Sequence, residues 1–553
     1  LVKNTPYYTV SLSPQTLDQI DISSLAGLLQ ISGDSLREKL HEQQKRSLYE
    51  PIRIKEGLSA KEIAVIEARR SDFPGLAIEV DVSRDYLFGS VGAHLIGYLG
   101  KPNEFQARSP DFRDVPTDAF IGQWGIEKLY DKELRGTPGE RIIEVDALGR
   151  ELRLLREKSA MRGEDLRLAM DINLQKEAEE SFGDKTGALV ALKPDSGEVL
   201  AFVSIPSFDP NLFARGIKYQ QWEELNQNKK LPLLNRALQS QYPPGSTFKI
   251  VTAIAALEEG AVDTNSKVTC NGGIAYGRWH FGCWRKTGHG ILSLHRALVE
   301  SCDVFFYEAG KKLGIDKIAA YARELGLGRE TGLEMVRERR GLIPDTKWKE
   351  ETRKQPWYLG ETFNAAIGQG YVAATPFQMA QLTSTVASGG YIYRPSLLML
   401  GSKPEPVEQV KIKQETFDTV KKGLCGVVNE NGGTGWSAKS SMVTICGKTG
   451  TAQVVGLRKE SKNLGEAQQD HAWFVAFAPY ETPEIALSVM VEHGGHGGAA
   501  AAPIAKRAIE AYMKSGVRAA GASPAEGHKQ SRGGSVQNGM SGEGENENRQ
   551  TAH

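Results

Sequence analysis

Hydrophobic and polar positions follow one pattern in roughly the first 165 residues of the chain and another pattern after them. In the first part, short alternating runs at residues 7–12 and 76–82 predict strands among charged stretches with helical periodicity. In the second part, continuous apolar runs predict buried strands, and helical patterns at residues 315–325 and 376–388 lie between them. The change in pattern predicts two folded domains.

Two hairpins bound the second part of the chain. Residues 187–192 and 199–203 are apolar runs on either side of Pro194-Asp195-Ser196-Gly197, which has the composition of a turn. Residues 471–477 and 484–491 flank a proline-rich connection in the same way. Strands at both ends of a domain, with helices between them, predict an α+β fold.

Composition limits the function only broadly. Lys plus Arg and Asp plus Glu are 68 each, so no net charge favours binding to nucleic acid or to an anionic membrane. No apolar run is long enough to cross a bilayer. The five cysteines are too few for a disulfide scaffold, and their odd number leaves at least one without a partner in the chain.

A turn followed by a buried helix carries the first candidate catalytic residues. Tyr242-Pro243-Pro244-Gly245 cannot continue a helix, and residues 250–260 read as a helix that a glycine closes. Ser246 therefore stands at a helix start, where it is either a cap or a nucleophile. Lys249 follows three residues later, on the same face of the helix.

Two further motifs support the nucleophile. Ser301-Cys302-Asp303 precedes an apolar helix, and Lys448-Thr449-Gly450 follows an apolar, strand-like stretch at residues 443–446. Ser-x-x-Lys, Ser-x-Asn and Lys-Thr-Gly together are the signature of penicillin-binding proteins and class A β-lactamases. Here the three occur in that order, with Asp303 in place of Asn.

On these motifs, and on residues 187–211, 360–362 and 364–371, the chain resembles the class B penicillin-binding proteins. Asp303 is similar to the elongation-type penicillin-binding protein 2 branch. The resemblance implies a five-stranded antiparallel sheet flanked by helices in a transpeptidase domain at residues 166–515. It also implies a non-catalytic pedestal or dimerisation domain at residues 1–165, which would lack its N-terminal membrane anchor. Residues 516–553 are polar and glycine-rich, which predicts a disordered tail.

The same resemblance implies location in the bacterial inner membrane by a single N-terminal span, with the catalytic domain in the periplasm. It implies peptidoglycan stem peptides ending in D-Ala-D-Ala as substrates and β-lactams as covalent inhibitors. It further implies that the first domain binds a SEDS-family glycosyltransferase and elongation scaffold proteins.

The residue types suit acyl transfer. Lys249 can take the proton of Ser246, and Ser301 can relay protons to the leaving amine. Asp303 can hold Lys249, and the Gly450 backbone lets an extended peptide approach closely. The hydroxyls of Thr449 and Thr451, together with Lys448, suit a terminal carboxylate. The resemblance adds an oxyanion hole made by the backbone N–H groups of Ser246 and Thr451.

Two other classes of function fit the same motifs. In a D,D-carboxypeptidase or a β-lactamase, water would replace the acceptor amine, although the large first domain and the lack of an obvious deacylating glutamate argue against a β-lactamase. In a non-catalytic β-lactam sensor or scaffold, the serine would be acylated once. Turnover of a peptide with an amine acceptor separates these alternatives from a transpeptidase.

A group of potential metal ligands lies between Ser246 and Asp303. Three thiols and one imidazole form a common structural zinc set, and the sequence offers Cys270, Cys283, His289 and Cys302. His280 is a weaker candidate for the imidazole. Alternatives are a disulfide between two of these cysteines, or a Cys302 that is only a small buried residue. Some penicillin-binding protein 2 relatives carry zinc at similar positions, which favours the zinc hypothesis.

Overall fold

The computed structural model describes residues 1–44, 51–112, 115, 119–145, 151–335, 337–453 and 469–521. The two domains that the sequence predicts are both present, and polar contacts join them. The Asn211 side-chain amide donates to the carbonyl of Tyr86, and the Gly92 backbone N–H donates to the carboxylate of Glu179. None of the helices in the described ranges is long and apolar enough to cross a membrane.

The first domain is built on a three-stranded antiparallel sheet. The long strand Val2–Leu12 lies in the middle, between Ile52–Glu56 and Leu76–Tyr86. Its alternating pattern buries one face against the helices Ile22–Leu29, Gly33–Gln44 and Ala60–Ala68. The predicted strands at residues 7–12 and 76–82 are therefore confirmed.

Short elements connect this sheet to the second domain. The helices are Ala93–Ile96, Glu104–Ala107, Gly125–Leu129 and Asp131–Arg135. Two two-stranded sheets accompany them, Leu99–Gly100 with Ile121–Gly122 and Glu140–Val145 with Glu151–Lys158. The second of these sheets carries several exposed apolar side chains.

The second domain is organised around the predicted five-stranded antiparallel sheet. In spatial order its strands are Cys446–Ala452, His471–Ala478, Ile485–Val491, Gly187–Leu192 and Val199–Ile205. Both predicted hairpins are confirmed, since each pairs the strands that the sequence places on either side of a turn. The strand Cys446–Ala452, called here the Lys448 strand, forms one edge of this sheet.

Helices cover both faces of the sheet, which explains why its strands are apolar throughout. Leu189 packs towards the helices Ile172–Phe182 and Ala502–Gly521, and Val190, the next residue, packs towards the helix Pro376–Ala387 on the opposite face. The other helices of this domain are Tyr219–Gln227, Arg236–Gln239, Lys249–Glu258, Leu294–Val299, Asp303–Leu313, Ile315–Glu324, Thr346–Arg353, Leu359–Ala366, Gln414–Asn429 and Gly497–Ala500. Short strands Lys267–Cys270, Gly273–Tyr276, Trp279–Gly282 and Gly290–Ser293 form two small hairpin-like sheets beside them.

Two predicted boundaries need correction. The strand predicted to precede the Lys-Thr-Gly motif begins only at Cys446, so the motif lies inside the strand rather than after it. The last helix runs to Gly521, so the predicted tail boundary at residue 516 falls within a helix. The remainder of the predicted tail, residues 522–553, lies outside the described residues.

Candidate active site

Ser246 lies in a 3-10 turn, Gly245–Phe248, that runs directly into the helix Lys249–Glu258. Gly245 has φ +55°, and a Cβ there would lie 2.5 Å from the carbonyl oxygen of Thr451. Only glycine tolerates both the dihedral angle and this close approach. The turn therefore packs closely against the Lys448 strand, with Ser246 directly after the point of contact.

Lys249 is fully buried beside the second motif. Its Nζ donates to Asp303 Oδ1 at 2.7 Å, to the Ser301 carbonyl at 2.8 Å and to Ser301 Oγ at 3.2 Å. Asp303 is also buried, at the first position of the helix Asp303–Leu313. The side chains of Lys249 and Asp303 therefore form a buried ion pair with Ser301 beside it.

Lys448 approaches Ser301 from the other side. Its Nζ lies 2.9 Å from Ser301 Oγ and 3.1 Å from its neighbour's carbonyl, that of Thr449. Complete burial, with the charge of Lys249 as a second cause, lowers the pKa of Lys448 well below its usual range. The Ser301 hydroxyl thus lies between the two lysine nitrogens, and the burial of Lys448 disfavours its charged form.

Ser301 has an unusual backbone conformation that another residue supports. Its φ of +55° is in the left-handed region, which is uncommon for serine. The indole Nε1 of Trp284 donates to the carbonyls of Ser301 and Glu300, at 3.1 and 3.0 Å. The Trp284 backbone N–H donates to Asp303 Oδ2 at 2.9 Å. Sequence reasoning missed Trp284, although the segment around it is rich in tryptophan.

The Lys448 strand presents the predicted substrate-binding residues. A Cβ at Gly450 would lie 2.8 Å from the carbonyl oxygen of Pro244, so this strand passes close to the serine turn. Gln369 Nε2 donates to the carbonyl of Thr451 at 2.9 Å, which adds a second contact to this strand. The Thr449 hydroxyl lies 2.7 Å from the hydroxyl of Thr434, a second residue that the sequence did not indicate.

The four predicted metal ligands also come together. One ligand atom from each of Cys270, Cys283, His289 and Cys302 lies within 4.8 Å of those of the other three. His289 Nδ1 is 3.5 Å from the sulfur of Cys270 and from that of Cys283. Hydrogen bonding with the Cys302 thiol is the main cause that lowers the pKa of the Cys283 thiol below its usual range.

The structure also bears on the alternatives for these cysteines. Cys270, Cys283 and Cys302 are not in disulfides, and the disulfide that is present joins Cys425 to Cys446. His280 lies on the exposed strand Trp279–Gly282, outside the cluster. Cys302 belongs to this cluster and lies between Ser301 and Asp303 in the sequence. The cluster is therefore connected directly to two candidate catalytic residues.

Comparison with protein families agrees with this geometry. Residues 187–510 match the family described as "Penicillin binding protein transpeptidase domain". Residues 1–168 match the family described as "Penicillin-binding Protein dimerisation domain". A relative from Acinetobacter baumannii, named peptidoglycan D,D-transpeptidase MrdA, is 38% identical over 518 residues, which are 91% of this chain and 77% of the relative.

Solved structures are similar along most of the chain. Penicillin-binding protein 2 of Helicobacter pylori, in a complex with MreC, has a TM-score of 0.83 and 31% identity over 93% of this chain and 95% of that one. A chain from a structure described as "Structural coordination of polymerization and crosslinking by a peptidoglycan synthase complex" has a TM-score of 0.74 and 31% identity, covering 93% of this chain and 88% of that one.

Proposed function

Because the chain belongs to the penicillin-binding protein transpeptidase family, in its penicillin-binding protein 2 branch, we propose that it cross-links peptidoglycan stem peptides through an acyl-enzyme on Ser246. Ser246 attacks the carbonyl between the two terminal D-alanines of a donor stem and releases D-alanine. The acyl group then passes to the side-chain amine of a neighbouring stem. β-Lactams acylate the same serine.

One observation carries this proposal, namely that Ser301 Oγ lies between Lys249 Nζ and Lys448 Nζ. Lys249 can accept the proton of Ser246 only as a neutral amine. The Ser301 hydroxyl can take a proton from Lys249 and pass its own to Lys448. Burial disfavours the charged form of Lys448 and the Asp303 carboxylate favours the charged form of Lys249, so the neutral Lys249 that acts as the base is the less populated form. Lys249 is then neutral while still held by Asp303, and it can serve as the base for Ser246.

Substrate contacts follow from the edge position of the Lys448 strand. The donor stem peptide would add to this edge as an extended strand, and Gly450 leaves space for its backbone. The terminal carboxylate would accept hydrogen bonds from the hydroxyls of Thr449 and Thr451. The carbonyl oxygen would point towards the backbone N–H groups of Ser246 and Thr451 as its negative charge develops.

The test is the intact mass of the protein after incubation with benzylpenicillin. We expect an adduct of one penicillin in the wild type and none in Ser246→Ala. Undiminished labelling of Ser246→Ala would exclude this serine as the nucleophile. With a stem-peptide donor, an amine acceptor should give the cross-linked product. Hydrolysis alone would indicate a carboxypeptidase, and a single acylation without peptide turnover would indicate a sensor.

For the first domain we propose contacts with an elongation scaffold protein and a SEDS-family glycosyltransferase. The support is that the Helicobacter pylori relative forms a complex with MreC and that a second similar chain belongs to a peptidoglycan synthase complex. The sheet Glu140–Val145 with Glu151–Lys158 offers exposed Leu152 and Leu154 side chains for such contacts. Replacing both leucines by serine should weaken partner binding and leave penicillin acylation unchanged.

We propose that the protein is held in the bacterial inner membrane with its catalytic domain in the periplasm. The membrane location rests on the family resemblance. A disulfide between Cys425 and Cys446 supports an oxidising compartment. Protease digestion of spheroplasts, in which the catalytic domain should be cleaved without lysis, tests this location.

We also propose that Cys270, Cys283, His289 and Cys302 hold a structural zinc ion. The donor set fits the metal, since three thiols and an imidazole converge. When bound, zinc would fix the loop that carries Ser301 and Asp303. Acyl transfer itself needs only the serine, lysine and threonine side chains.

A further inference from the structure

Thr434 lies in a turn after the helix Gln414–Asn429, and this turn touches both motifs that flank the candidate active site. The Thr434 backbone N–H donates to the carbonyl of Val299, two residues before Ser301. Its side-chain hydroxyl lies 2.7 Å from the hydroxyl of Thr449. Thr434 therefore connects the segment just before Ser301 to the Lys448 strand.

The backbone around Thr434 is closely packed. A Cβ at Gly433 would lie 2.4 Å from the carbonyl oxygen of Val427, and one at Gly498 would lie 2.5 Å from the carbonyl oxygen of Thr434 itself. The Gly435 N–H donates to Val427. These contacts fix the turn from both sides, so the Thr434 hydroxyl has a defined position beside Thr449.

The direction of this hydrogen bond depends on what Thr449 binds. A hydroxyl has one proton to donate and can accept through its oxygen. If the Thr449 proton points to a substrate carboxylate, Thr434 must be the donor to Thr449 Oγ1. With a carboxylate bound, the Thr434 hydroxyl therefore donates to the Thr449 hydroxyl, which donates to the carboxylate. In such a chain each hydrogen bond polarises the next one.

We propose that Thr434 is a positioning residue that turns the Thr449 hydroxyl proton towards the terminal carboxylate of the donor stem peptide or of a β-lactam. This inference rests on the proposed acylation of Ser246. Thr434 acts through Thr449 and selects for a free carboxylate at the end of the substrate. It has no part in the proton transfers among Ser246, Lys249, Ser301 and Lys448.

The test compares acylation by benzylpenicillin, which has a free carboxylate, with acylation by its methyl ester. Rates are measured by intact mass for the wild type, Thr434→Val and Thr434→Ser, with long incubations for the ester. Thr434→Val keeps the shape of the side chain and loses the hydroxyl. We expect its rate with benzylpenicillin to fall about tenfold, as for loss of a hydrogen bond that supports a charged group. We expect the ester rate to stay within about twofold and Thr434→Ser to restore the benzylpenicillin rate.

A matched variant and a double variant complete the design. Thr449→Val should show the same selective loss, and Thr434→Val with Thr449→Val should lose little more than Thr449→Val alone, because the two hydroxyls act in series. If Thr434→Val slows both probes equally, or neither, the positioning role is wrong. If Thr434→Val does not fold, Thr434→Ala is compared with Thr434→Ser instead. The quantity compared is the acylation rate with benzylpenicillin divided by the rate with its methyl ester. Absence of any adduct on wild-type Ser246 would instead refute the proposed function.

Discussion

The ammonium of Lys249 lies 2.7 Å from the carboxylate of Asp303, and both groups are buried. The signature has asparagine at the position that Asp303 occupies in this chain. A carboxylate at this position neutralises the buried ammonium, and it accepts the Trp284 backbone N–H with its second oxygen. The pair thus connects Lys249, the proposed base, to the second motif.

Removal of this carboxylate should destabilise the catalytic domain. In Asp303→Ala, Lys249 keeps its charge in a buried site without a counter-ion, which typically costs about 3–5 kcal/mol. We expect a lower Tm and no measurable penicillin acylation. Asp303→Asn keeps an oxygen acceptor for Lys249 and should retain more of the Tm than Asp303→Ala. A Tm of Asp303→Ala equal to that of the wild type would show that the ion pair has no structural role.

Trp284 should influence acylation through the conformation of Ser301. Trp284→Phe keeps an aromatic ring and removes the N–H that donates to the Ser301 carbonyl. Ser301, at φ +55°, then loses a bond that holds its unfavourable backbone conformation. We expect the penicillin acylation rate to fall about three- to tenfold, the effect of a typical hydrogen bond.

Trp279→Phe is the matched control for this experiment. Trp279 lies on the same segment of the chain and is exposed, at the start of the strand Trp279–Gly282. The Trp279→Phe protein should be acylated by benzylpenicillin at the wild-type rate. Equal losses in Trp279→Phe and Trp284→Phe would mean that the segment as a whole, and not the bond to Ser301, controls the rate.

The parts of the fold and of the candidate site that the sequence predicts are those in which the residues are close together in the chain or belong to a known motif. The spacing of Ser246 and Lys249 sets both on one face of a short helical stretch, and the turn composition around Gly245 fixes where that stretch begins. The apolar patterns likewise predicted both hairpins of the main sheet. Composition also identified the four potential ligands, because thiols and an imidazole are rare side chains clustered in a short region.

Contacts that depend on packing between distant elements were not predictable in this way. Trp284 reaches Ser301 across 17 residues, and Thr434 reaches Thr449 across 15, with no periodicity that relates either pair. The pairing of Cys425 with Cys446 depends on a helix that lies against the Lys448 strand. Spacing alone left three cysteines between Ser246 and Asp303 as equal candidates for a disulfide.

Glu179 should make stability depend on pH at the contact between the two domains. It accepts the Gly92 N–H of the first domain, and burial raises the pKa of Glu179 to about 7. A raised pKa in the folded state favours the protonated form. Its contribution to stability is therefore complete below about pH 4.5 and is lost as the pH rises through about 7.

Replacement by glutamine removes this dependence, because the amide oxygen still accepts the Gly92 N–H and cannot ionise. We expect Glu179→Gln to be more stable than the wild type at pH 8 by about 1–3 kcal/mol, the range set by the pKa shift and reduced by partial exposure. Below pH 4.5 the Tm values of the two proteins should converge. A Tm difference that does not change between pH 4.5 and 8 would contradict the assignment.

Zinc should be a stoichiometric component of the protein if the cysteine cluster binds it. Elemental analysis of protein purified without added metal should give about one zinc per chain, and a chelator should lower the Tm because metal binding is coupled to folding. Added zinc should restore the Tm. After chelation under denaturing conditions, three reactive thiols should be counted, since Cys425 and Cys446 form the disulfide.

The two histidines of this segment give a direct control for the ligand assignment. His289→Ala removes a residue whose Nδ1 lies 3.5 Å from two of the cysteine sulfurs, so it should reduce the zinc content and the Tm. His280→Ala changes an exposed residue outside the cluster and should do neither. Ser301 and Asp303 flank Cys302, so loss of zinc should also slow penicillin acylation. Metal-free active protein, a disulfide among Cys270, Cys283 and Cys302, or an equal loss of zinc in His280→Ala would each rule out this site.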